Sequence, residues 1–98
     1  MSKYDIFSAD QRLLILKSLD DADFSANEDI LKICLEQYGH RIGRDLLRAH
    51  LVWLEEQGLV VITKLANDYM VTQITEKGLD AAQGRVSVPG VKRPRPIY

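Results

Sequence analysis

Between residues 43 and 57 the apolar positions Leu47, Leu51 and Leu54 recur at the four-and-three spacing of one helical face, while Arg44, Asp45, Arg48 and Glu55 fall on the opposite side. That pattern predicts an amphipathic helix with a charged outer face. Gly58 stands where a helix of this register stops, and the chain switches at once to Val60, Val61, Ile62 and Thr63, β-branched residues that suit a pleated strand. Lys64 to Asp68 holds Asn67 and Asp68, which tolerate turn conformations, and Tyr69 to Ile74 is again rich in strand formers. A helix therefore feeds a β-hairpin over residues 60–74.

Upstream, Met1 to Phe7 reads as a short lead-in with Tyr4, Ile6 and Phe7 available for packing, and Ser8 as the N-cap of a first helix that runs to about Leu19. Its residues Leu13, Leu14, Ile15, Leu16 and Leu19 cover more than one stripe, wider than a surface helix of a monomer requires, which leaves one face for a partner chain. Asp20, Asp21 and Asp23 close it as a solvated acidic loop, without the regular ligand spacing of a cation site. Ser25-x-x-Glu28 has the form of a capping box, with Asn27 as the alternative cap. The second helix shows Leu31, Cys34, Leu35 and Tyr38 on one face and ends at Gly39. His40 to Gly43 then forms a link short enough for the tight corner of a helix-turn-helix.

Downstream, Thr75 caps a last helix through Glu76, Leu79, Ala81 and Ala82 to Gly84, too short to stand alone. It must dock on the first helix of its own chain or on a partner's. From Arg85 onward Pro89, Gly90, Pro94 and Pro96 exclude regular helix and central strand. The expected organisation is one domain over residues 1–84 and an extended basic tail over residues 85–98.

These residues resemble the winged-helix family, the helix-turn-helix variant in which a recognition helix is followed by a β-hairpin wing. The resemblance rests on Ile42-Gly43 leading into the third helix, on Leu51 and Leu54 as its core positions, on Leu54-Glu55-Glu56-Gln57-Gly58-Leu59-Val60 as its exit, and on Ile74-Thr75-Glu76-Lys77-Gly78-Leu79 opening the last helix. With its Val-Pro-Gly-Val-Lys-Arg-Pro-Arg-Pro tail the whole chain also resembles small winged-helix proteins of Mu-like phages and prophages. The implied fold is mainly α with a β-hairpin: three helices, the wing, a fourth helix and the tail. Gly43 departs from the family's usual serine or threonine cap, so a hydroxyl that often binds phosphate is missing.

Charge sharpens the picture. The net charge of -1 hides an asymmetry: residues 1–84 hold nine lysines and arginines against all fourteen acids, a formal -5, whereas Arg85, Lys92, Arg93 and Arg95 give the tail +4 with no acid. A nucleic-acid surface must then be local. Arg41, Arg44 and Arg48 cluster at the head of the third helix, where free amides also favour phosphate, and Lys64 and Asn67 near the hairpin tip are placed to touch flanking backbone, with Lys77 a weaker candidate. Asp45, Glu55 and Glu56 on the same helix oppose that use. For the tail, three roles are open: an arm that follows phosphates through Lys92, Arg93 and Arg95, a strap on the body or on a partner subunit, or a plain end. The interleaved Val86, Val88, Val91, Ile97 and Tyr98 favour the strap.

Other chemistry is thin. His40 and His50 are the only imidazoles, with no nucleophile triad, metal pair or glycine-rich phosphate loop, so an enzyme is not expected and no cofactor or metal is implied. His50 falls with Leu46, Trp53 and Gln57 on a second stripe of the third helix and reads as structural, as does Trp53. Cys34 reads as a buried thiol. No membrane span or signal peptide is evident, so a cytoplasmic protein is expected. The leading expectation is a dimeric DNA-binding regulator of phage type, paired through its first helix, last helix and tail. The alternative is a winged-helix interaction module of phage packaging or assembly that does not use DNA.

Overall fold

Residues 3–21 contain no proline or glycine, and in the computed structural model, which describes residues 3–95, they form one continuous helix, α1 (Lys3–Asp21). Ser8 therefore lies inside the helix rather than capping it, because nothing before it interrupts helical geometry. The side chain of Tyr4 and the residues Pro96, Ile97 and Tyr98 lie outside the described residues. The remaining elements are β1 (Ser25–Asn27), α2 (Glu28–Gln37), α3 (Arg44–Glu56), β2 (Val60–Lys64), a 3-10 turn (Ala66–Asp68), β3 (Met70–Ile74) and α4 (Glu76–Ala82).

α1 is the centre of the molecule. Leu13, Leu14, Ile15, Leu16 and Leu19 are all buried, and α2, α3, α4, β1 and β3 pack around them. Each such leucine removes enough apolar surface from water to contribute roughly 1.5–3 kcal/mol. The wide apolar surface that suggested a dimer is covered by the chain itself, so it is not an open face awaiting a partner.

The hairpin pairs as its sequence requires, Val60 opposite Ile74 and Lys64 opposite Met70, and Asn67 (φ 61) and Asp68 (φ 59) take left-handed conformations at its tip. A third strand escapes the pattern. β1 adds to the free edge of β3, Ser25 opposite Gln73 and Asn27 opposite Val71, to give the order β1-β3-β2. Three residues are too few to show alternation. Its use of Ser25 also corrects the capping box: Asn27 caps α2, its side-chain oxygen accepting from the Ile30 amide at 2.9 Å. Tyr38, expected on the buried face of α2, stands at the C-cap and is exposed, and Cys34 is only half-buried.

Thr75 caps α4 as expected, its Oγ1 accepting from the Gly78 amide at 3.0 Å. α4 docks on α1 of its own chain. Residues 85–95 then return across the body: the Lys92 amide donates to the Ala9 carbonyl (3.1 Å), Arg12 Nη1 donates to the Gly90 carbonyl (3.1 Å), and Val88 and Val91 pack against the core. Of the three roles open to the tail, this stretch adopts the strap. Gly90 (φ +93) lies flat on Trp53, and a Cβ there would come within 2.6 Å of the indole ring. No helix among the described residues is long and apolar enough to cross a membrane.

Candidate functional site

α3 buries Leu47, His50, Leu51 and Leu54, with Trp53 and Arg48 partly buried at the two sides of that face. Its cap, Gly43, makes no side-chain bond, and Gly58 (φ +77) reverses the chain into β2. The helical angle places Asp45, Ala49, Val52 and Glu56 along the outermost line, with Leu46 beside them, and all five are exposed. Leu46 and Val52 each leave 43% of their surface open. No cation lies on this strip.

Arg44 and Arg48 lean to one side of it, toward a buried carboxylate. Glu28, the first residue of α2, is 1% exposed; its Oε1 meets Arg44 Nη1 at 2.9 Å and Arg48 Nη2 at 3.0 Å, and its Oε2 accepts from Arg48 Nε at 3.2 Å and from the Met70 amide at 2.8 Å. Asp29 adds a second layer, accepting from Arg44 Nη2 (2.7 Å) and from the Tyr69 hydroxyl (2.8 Å). That last bond, more than burial, raises the pKa of Tyr69, because the protonated phenol donates to the carboxylate and the phenolate could not. Arg48 also reaches the Asp68 carbonyl at 3.4 Å. One buried carboxylate thus ties α2, α3 and the start of β3 together.

The other candidates are scattered. Arg41 is exposed in the link before α3, Lys64 ends β2, Asn67 is at the hairpin tip, and no ion pair engages Arg41 or Lys64 among the described residues. Lys77 donates to the Gln57 carbonyl at 3.1 Å. In the tail Lys92 lies 3.5 Å from Asp10, while Arg93 and Arg95 are exposed. Sequence reasoning missed Glu28 and Asp29 as partners. The signal available was the four-residue spacing of Arg44 and Arg48, which suits one shared anion but does not distinguish carboxylate from phosphate.

A second polar chain runs on the far side of α3. Arg12 Nε donates to His50 Nδ1 (3.2 Å), which places the ring proton of His50 on Nε2, where Gln11 Oε1 accepts it at 2.8 Å. Gln11 Nε2 then donates to His40 Nδ1 (3.2 Å), and His40 Nε2 donates to Asp10 (2.7 Å). The guanidinium of Arg12 stacks 4.0 Å from the Trp53 ring centre. Burial, then the Arg12 charge, lowers the pKa of His50 to about 4. The folded value lies below the unfolded one, so this stability is present above pH 6.5 and is lost as pH falls toward 4, by roughly 3 kcal/mol in all. Urea titrations across that range should record the loss. A His50→Gln variant should lack this part of the slope, and an unchanged slope would assign it to other groups.

The family model of the ribonuclease R winged-helix domain matches residues 13–81, from the middle of α1 to the end of α4. The chain belongs to the ribonuclease R winged-helix domain family. An uncharacterized protein of Escherichia phage Mu, gp26, is 51% identical over 92 residues, covering 94% of this chain and 95% of that protein. An uncharacterized protein of Haemophilus influenzae is 49% identical over 79 residues, covering 81% and 78%. In this winged-helix protein α3 occupies the recognition-helix position and the β2–β3 hairpin is the wing. Asp10, Gln11, Arg12 and the tail fall outside the stretch matched by the family model. The polar chain beneath the strap is therefore joined to the winged helix from its flanks.

Proposed function

We propose that this winged-helix protein is a non-catalytic protein-interaction module of a Mu-like phage or prophage, docking through the outward face of α3. The observation that carries the reading is that strip of Asp45, Leu46, Ala49, Val52 and Glu56, which is free of cations. A helix that reads DNA in the major groove most commonly does so with arginine, lysine or amide side chains on that line, and phosphates are repelled by Asp45 and Glu56. Diverting Arg48 and Arg44 to phosphate would leave the buried Glu28 carboxylate unpaired, a loss on the order of 3–5 kcal/mol. Binding to DNA would have to recover that first.

The second reading, a DNA-binding transcriptional regulator, is favoured by the exposed Arg41, Lys64 and Asn67 and by the amide groups at the head of α3, which no side chain caps. Fluorescence anisotropy of a labelled duplex at two salt concentrations tests the choice. The expected result is no binding tighter than about 100 μM at physiological salt. Micromolar binding that weakens with salt and is abolished in Arg41→Ala/Lys64→Ala would replace the interaction module by the DNA reader.

A further inference from the structure

We infer that the partner of the α3 strip is a basic amphipathic helix. This rests on the interaction-module reading and adds the chemistry of the occupant. Leu46, Ala49 and Val52 form an apolar seam at helical spacing, and the small Ala49 leaves a depression between its two larger neighbours that a partner's bulky side chain can fill. From Leu46 to Val52 the apolar seam runs about 9 Å, and with Glu56 beyond it the strip spans about 15 Å, the length of some three turns of an apposed helix.

The rim sets the charge of the occupant. Asp45, Glu55 and Glu56 border the seam, and all three are exposed. Of the cations on or beside α3, Arg44 and Arg48 are engaged by Glu28 and Asp29 on one flank and Arg12 by His50, the Gly90 carbonyl and Trp53 on the other, while Arg41 lies in the link before the helix. Asp45, Glu55 and Glu56 give the seam a negative rim that lysine or arginine beside apolar anchors would complement.

The occupant brings its own backbone hydrogen bonds. α3 offers side chains and no open strand edge, so strand addition is not available on this face, whereas an apolar helix face with anchors at i, i+3 or i+4, and i+7 fits it. The tail of a second copy is basic but does not meet that requirement. Pro89, Gly90 and Pro94 keep it from forming a helix, and residues 85–95 are held on their own chain.

Two synthetic 18-residue helices test the inference, one of leucine and lysine and one of leucine and glutamate in the same pattern, each titrated into isotope-labelled full-length protein and followed by amide chemical shifts and calorimetry. The lysine helix is expected to shift amides of Asp45–Glu56 and the glutamate helix to leave them unmoved. Ala49→Arg, which fills and charges the depression on an exposed site, should weaken the lysine helix at least tenfold with an unchanged thermal melt. Shifts spread instead over the Asp20–Asp23 end of α1, an affinity indifferent to Ala49→Arg, or absence of binding would overturn the inference. So would equal binding of the glutamate helix. The duplex titration separates this failure from that of the underlying reading: with no DNA bound and no lysine helix bound, the module stands and its partner has another chemistry.

Discussion

Gly78→Ala is expected to cost about 3 kcal/mol or more of folding stability, although alanine is the better helix former by roughly 1 kcal/mol. Gly78 is the third residue of α4, where an added Cβ would overlap the Leu59 carbonyl oxygen and come within 2.7 Å of Ile74 Cγ1. Neither neighbour can give way locally. Leu59 is fully buried and its carbonyl accepts the Thr75 amide at 3.0 Å, while Thr75 Oγ1 donates to the Gly58 carbonyl at 2.8 Å and accepts from Gly78 itself. Relief requires α4 to lift from the start of β2, which would break the cap and part of its packing on α1. Urea unfolding followed by far-ultraviolet circular dichroism measures the change. A loss below about 1 kcal/mol would mean that α4 is not seated this closely.

Glu28→Ala is expected to cost about 2–3 kcal/mol, since it leaves the buried Met70 amide without its acceptor and the half-buried Arg48 guanidinium without its carboxylate. Glu28→Gln should cost less, because its carbonyl oxygen can still accept from Met70. The arginines are unequal partners. Arg44 has 49% of its side chain exposed, so Arg44→Ala is expected within about 1 kcal/mol of wild type, whereas Arg48, at 29% and bonded to both Glu28 oxygens and the Asp68 carbonyl, should cost more. Thermal melts of wild type, Glu28→Ala, Arg48→Ala and Glu28→Ala/Arg48→Ala close a double-mutant cycle on the pair. Additive losses would show that the carboxylate and Arg48 do not act together. The cycle also bears on function, because loss of activity in Arg48→Ala would reflect a loosened α2–α3 corner before any missing ligand contact.

The sequence made the third helix, its stop at Gly58, the hairpin and the Thr75 cap legible, because each is decided by neighbours within a few residues. The short edge strand was not, since Ser25–Asn27 is recruited by β3 from almost fifty residues away. The start of α1 is not legible for a related reason: a serine able to cap, as Ser8 is, does so only where the preceding residues leave the helix, and these do not. At the candidate site the spacing of Arg44 and Arg48 pointed to an anion, but the anion is supplied by Glu28, which local pattern had assigned to a capping box. The outward strip of α3 was readable as helix and as exposed. Its lack of cations emerged only once both arginines were seen turned aside.

Because α1 is enclosed by α4 and by the returning strap, a helix made earlier in synthesis is completed by segments that follow it in the chain. Domains whose contacts are local can fold while synthesis continues, at some 5–20 residues per second. Here Leu13, Leu14, Ile15 and Leu16 cannot all be covered until the segment that brings Lys92 to Ala9 has emerged. The emergence of residues 85–95, and not that of α1 itself, sets the moment at which this core can close, and until then its central helix is open to chaperones.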